Sequence, residues 1–157
     1  MNLSYEIILS LTFVISFLVT YLSVPSVVSV AKQRKLFDEP NSRKSHVQKI
    51  PTLGGVTIFA GFTTAAGSFI SYSLVPSLQY ILVACIIMFF IGLEDDILAI
   101  APLKKLLGQI AAALVLIFPG NLYFTSIHGF SGIYYIPDIA GMALTLFVII
   151  VVVNSLI

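Results

Sequence analysis

Every Lys and Arg of this chain lies in one of two short stretches, Lys32–Lys49 and Lys104–Lys105. The segments around and between them are apolar and long. This alternation constrains the fold more than any single motif does. A spanning helix needs about 20 mostly apolar residues, and basic connections stay on the cytoplasmic side of a membrane. Soluble domains carry roughly 25% charged residues, whereas this chain carries 10% and is 59% hydrophobic. A soluble fold would have to hide too much apolar surface. An integral membrane protein is therefore expected, and all-α, because lipid requires every backbone polar group to be satisfied internally. The net charge of +1 gives no footprint for nucleic acid, which is not expected as a partner.

Five spans are predicted in one membrane domain covering residues 1–157. They run over Tyr5–Val30, Leu53–Tyr72, Leu78–Leu93, Leu103–Phe118 and Ile139–Val153. Pro25 is expected to kink the last turns of the first span. Residues 119–138 lack Lys and Arg and alternate apolar with polar around Gly129 and Gly132. That pattern predicts a small β-hairpin with an aromatic rim between the fourth and fifth helices. The two connections that hold all the basic residues fall on one side, predicted to be cytoplasmic, and the hairpin faces outward. The N-terminus lacks a basic leader region, so the first span is expected to be retained. Cys85 lies in an apolar run and reads as a small buried side chain.

The second span is rich in small residues. Gly61 and Gly67 read as helix-packing positions. Gly54 and Gly55 follow Pro51-Thr52-Leu53 and suit a tight turn or close approach of a ligand to the backbone.

Glu94, Asp95 and Asp96 follow sixteen uncharged residues, Leu78–Leu93. Carboxylates bordering hydrocarbon are costly and mark ion or substrate sites. Adjacent carboxylates suit a divalent cation, a phosphate-bearing substrate, or both. Glu94 fits solvation of a helix end better. The first basic connection interleaves Asp38, Pro40 and Asn41 with Arg43, Lys44, His46 and Lys49. An orientation signal explains the charge but not that mixture of donors and acceptors, which suits a phosphate-rich ligand. Pro102 is placed to begin a helix, on which Lys105 and Gln109, four apart, share a face.

Four runs carry a resemblance: Asp38-x-Pro40-Asn41-x-Arg43-Lys44-x-His46, Pro51-x-x-Gly54-Gly55, Gly92-x-x-Asp95-Asp96 and Pro102-x-x-Lys105-x-x-x-Gln109. In order, spacing and sidedness the chain resembles the N-terminal half of the polyprenyl-phosphate N-acetylhexosamine-1-phosphate transferases. The resemblance implies transfer of a sugar 1-phosphate from a UDP-sugar to a membrane polyprenyl phosphate, with release of UMP, in cell-envelope glycan synthesis such as that of lipopolysaccharide. The run around His46 resembles the branch that uses UDP-N-acetylglucosamine. Asp95 and Asp96 are then the catalytic and metal-binding positions, with Mg2+ or Mn2+ as the ion. Asn41, Arg43, Lys44, His46 and Lys105 would hold substrate. The lipid, the UDP-N-acetylhexosamine and the membrane are the implied partners, and a homodimer is compatible. The setting implied is the bacterial plasma membrane, multi-pass, with cytoplasmic active-site loops.

The chain departs from the family pattern at its end. Members continue with an acidic Asp-Gly-x-Asp-Gly run, of which Asn154 resembles the entrance, while Ile157 stands where a second Asn is expected. The expectation is a truncated chain, inactive alone. The alternative is a small non-catalytic subunit or regulator that pairs with a full-length transferase. A transporter or channel subunit fits less well, because neither internal repeats nor an acid in the middle of a span is present.

Overall fold

The computed structural model describes residues 5–34, 36–38, 50–51, 53–70, 75–98, 100–129, 132 and 134–156. Five helices account for most of them: α1 (Tyr5–Gln33), α2 (Gly54–Phe69), α3 (Leu78–Leu98), α4 (Pro102–Ile117) and α5 (Asp138–Leu156). Two very short strands, β1 (Phe37–Asp38) and β2 (Ile50–Pro51), pair antiparallel, with Phe37 opposite Pro51 and Asp38 opposite Ile50. The chain divides into two compact units, Met1–Ser71 and Tyr72–Ile157.

In the first unit α1 packs on α2. α1 is uncharged and apolar over nearly its whole length, so it has no polar face to turn to water; Phe13, Phe17, Tyr21 and Leu22 are all exposed. It stays helical through Pro25 to Gln33. Contact with α2 is made through small residues. A Cβ on Gly61 would overlap the Thr20 side chain and the Ser16 backbone. Thr20 Oγ1 donates to the Thr57 carbonyl at 3.3 Å, and Thr57, Ala65 and Ala66 are buried. Gly67 differs from expectation. A Cβ there would meet nothing within 4 Å, and the same holds at Gly54 and Gly55.

In the second unit α3 packs on α4, and α4 on α5. α4 buries a stripe of Gln109, Ala112, Ala113 and Ile117, the spacing of one helical face. Gly108 lets the side chain of Ile91 sit where a Cβ would be. Pro102 occupies the first turn of α4, as its missing N–H favours. Ala101 before it is extended, which separates α4 from α3.

Two expectations are corrected. α3 does not end at Leu93 but continues to Leu98, so Glu94, Asp95 and Asp96 sit on helix. The hairpin expected between α4 and α5 is not found: no strand occurs among the described residues of that segment. Asn121, His128, Gly129 and Gly132 have positive φ. The segment folds back through other contacts. The Ile136 N–H donates to the Thr125 carbonyl at 3.1 Å and the Gly132 N–H to that of Gly129 at 3.0 Å. The Ser126 hydroxyl donates to the Tyr134 carbonyl. Thr145 Oγ1 anchors the loop to α5, accepting from the Phe124 N–H at 3.0 Å and donating to the Gly141 carbonyl at 2.8 Å.

By length and composition α1 and α5 are suited to cross a membrane. α2 and α4 have 16 residues each. At 1.5 Å per residue each covers about 24 Å, less than the roughly 30 Å of a bilayer core.

Candidate functional site

Asp95, Lys105, Gln109 and Asn154 gather where α3 ends, α4 begins and α5 ends. Lys105, one turn into α4, places Nζ 2.9 Å from Asp95 Oδ2 on the last turn of α3. Both are partly buried, with side-chain exposures of 19% for Lys105 and 29% for Asp95. Acids in the last turn of a helix oppose its dipole, and Lys105 offsets that cost at Asp95. Asp96 and Glu94 are exposed on the same turns. One turn further along α4, Gln109 is fully buried. Its Nε2 donates to Asn154 Oδ1 at 3.3 Å, and Asn154 Nδ2 donates back to Gln109 Oε1 at 2.7 Å. Asn154 Nδ2 also donates to the Ile150 carbonyl at 2.8 Å within α5. Three helices thus contribute to one polar cluster in an otherwise apolar unit.

The chemistry open to this cluster follows from its groups. A carboxylate only accepts, through about four lone-pair positions. The Lys105 contact occupies Oδ2 of Asp95 and leaves acceptor capacity on Oδ1. Lys105 retains donors for an anion such as a phosphate. No group of three or more His, Cys, Asp or Glu residues able to hold a metal occurs among the described residues. Mg2+ typically keeps several waters and shares phosphate oxygens with one or two protein carboxylates. Asp95 and Asp96 are the residues that would hold it.

Asn41, Arg43, Lys44 and His46 lie outside the described residues. The strands on either side of them are described, and the pairing of Asp38 with Ile50 brings the two ends of that connection together. The sequence pattern placed Lys105 and Gln109 on one face. It did not reveal that Asn154 is the partner of Gln109. Two amide side chains inside apolar helices were the available sign, because a buried one such as Gln109 needs a partner.

At the opposite end of α4 and α5, Tyr123 lies near Asp138 in the first turn of α5. Partial burial first, then the Asp138 carboxylate, pushes the Tyr123 phenol above its ordinary value of 10.0.

Residues 78–156 match the family model described as Glycosyl transferase family 4. The undecaprenyl-phosphate alpha-N-acetylglucosaminyl 1-phosphate transferase of Escherichia coli O157:H7 is 32% identical over 140 residues, covering 88% of this chain and 38% of the relative. The protein of that name in Pasteurella multocida is 31% identical over 113 residues, 72% of this chain and 31% of the relative. A Sulfolobus acidocaldarius protein, provisionally named UDP-N-acetylglucosamine–dolichyl-phosphate N-acetylglucosaminephosphotransferase, is 33% identical over 113 residues, 68% of this chain and 34% of its own length. The chain therefore spans well under half of the curated relatives it matches. No solved structure matches it.

Proposed function

The chain belongs to glycosyl transferase family 4, and from that premise we propose that it carries part of the catalytic site of a polyprenyl-phosphate N-acetylglucosamine-1-phosphate transferase. The donor is UDP-N-acetylglucosamine and the acceptor a polyprenyl phosphate in the bacterial plasma membrane. An oxygen of the lipid phosphate attacks the sugar-bearing phosphorus. The bond from that phosphorus to the bridging oxygen breaks, and UMP leaves. The observation that carries the reading is the Asp95–Lys105 pair, 2.9 Å apart, inside the segment that matches the family.

Phosphoryl transfer asks for positioning and charge neutralisation more than for covalent help. Lys105 would donate to a phosphate oxygen while another of its N–H groups stays hydrogen-bonded to Asp95. Asp95 and Asp96 would offer carboxylate oxygens to a divalent ion, which would offset the charge of the acceptor phosphate. A bound Mg2+ or Mn2+ would neutralise charge across the diphosphate. Arg43, Lys44 and His46, with Asn41, supply the donors for the nucleotide sugar. The confinement of every Lys and Arg to two connections supports a multi-pass topology with both connections cytoplasmic.

A chimera tests the reading. Residues 78–156 replace the matching segment of the Escherichia coli O157:H7 relative, and UMP release is followed with UDP-N-acetylglucosamine and undecaprenyl phosphate. Metal-dependent UMP release that is lost on Asp95→Asn is expected. A folded chimera whose rate is indifferent to both Asp95→Asn and Asp96→Asn would sink the assignment.

A further inference from the structure

The side-chain amide of the fully buried Gln109 bonds Asn154 and not Asp95 or Lys105, yet Gln109 lies one turn from Lys105 on the same face of α4. Four residues of helix rise about 6 Å, so α5 is fastened to α4 immediately beneath the ion pair. The fastening is reciprocal: each amide donates to the other's oxygen. The other buried residues of α4 are Ala112, Ala113 and Ile117. Small apolar surfaces permit close approach but discriminate poorly between registers, and lipid adds no hydrophobic drive toward one of them. A directional hydrogen-bonded pair does discriminate, as a single buried Asn does in a coiled coil.

We infer that the Gln109–Asn154 amide pair is a positioning element that sets the rotation and register of α4 against α5 and so holds Lys105 against Asp95. Slippage by one turn would displace Lys105 by about 5.4 Å along the axis, and rotation of α4 by one residue, about 100°, would carry it off the face that meets α3. Gln109 and Asn154 are positioning residues, because they act through Lys105 and not on substrate. Their importance for catalysis rests on the reading of Asp95 and Lys105 given above; the geometric claim does not.

Solid-state NMR of the full chain in lipid bilayers reads the claim directly. Samples carry 15N at Lys Nζ and 13C at Asp Cγ, and the Lys105–Asp95 contact is assigned by its loss in Lys105→Met. Asn154→Ala, at an exposed position, and Gln109→Leu should each lower the contact by half or more in folded protein. The reciprocal exchange, Gln109→Asn with Asn154→Gln, keeps both amides and should restore it. A merely structural pair would leave the contact intact in whatever fraction folds. Full contact in folded Asn154→Ala overturns the inference, as does a folded exchange variant that fails to recover it. In the chimera the same substitutions should lower kcat about 10- to 100-fold, the range seen when groups supporting a ligand are removed, with KM for the UDP-sugar unchanged. Lost contact with unchanged kcat would leave the positioning role standing and refute the catalytic role of the ion pair.

Discussion

Asp95 and Lys105 separate the energetics of folding from those of reaction. Partly exposed ion pairs contribute about 0–1 kcal/mol to stability, so Lys105→Met should leave the thermal midpoint of the purified protein nearly unchanged. Its effect on transfer should be far larger, because removing one charge-stabilising donor costs about 10²–10³-fold in kcat. Lys105→Arg should recover little, since a planar fork and a compact ammonium present charge differently. Paired measurements of melting and UMP release in the chimera check both halves. Tyr123 gives a pH-dependent counterpart on the far side of α4 and α5. Its folded value lies above the unfolded 10.0, so its contribution is complete below about pH 10 and is lost as pH rises through the folded value. Tyr123→Phe should remove that alkaline loss, read as melting temperature against pH.

At the scale of elements, the contact between α1 and α2 depends on what is missing from Gly61. Gly61→Val would drive a side chain into Thr20 and the Ser16 backbone and should cost about 1–3 kcal/mol, the usual range for overpacking. Gly67→Ala, in open space on the same helix, should be neutral or slightly stabilising through helix propensity. Thermal unfolding of the two variants in one detergent compares them directly. The helices were legible because apolar length is a long-range property of sequence, and α1, α2, α4 and α5 begin and end within a few residues of their expected bounds. The end of α3 was not legible. Acids after an apolar run look like a terminus, and only the arrival of Lys105 from the next helix shows why the helix continues. The loop at 118–137 was misread for a local reason. Its alternation is real, but among the described residues one backbone hydrogen bond, Ile136 N–H to the Thr125 carbonyl, joins its two stretches, and hydropathy does not register whether a ladder forms. The Gln109–Asn154 pair joins residues 45 positions apart, a separation that no local pattern spans.

For the whole molecule the proposed topology has a direct check. In a Cys85→Ala background, Lys44→Cys should react with an impermeant maleimide only after the membrane is opened, and Ser126→Cys in intact cells. Reaction of both from one side would refute the arrangement. The interior raises a different matter. Among the described residues the buried apolar positions are mostly alanines, and the largest fully buried side chain is Gln109. Phe13, Phe17, Phe90, Phe147, Tyr134 and Ile139 all face outward. The usual map of mutational tolerance is therefore turned inside out. Exchanging one bulky apolar side chain for another on the outside changes little, because lipid accepts any shape. Adding a single methyl group inside the helix contacts meets resistance at once. Over evolutionary time such a chain should drift freely at its largest residues and stay nearly fixed at its smallest.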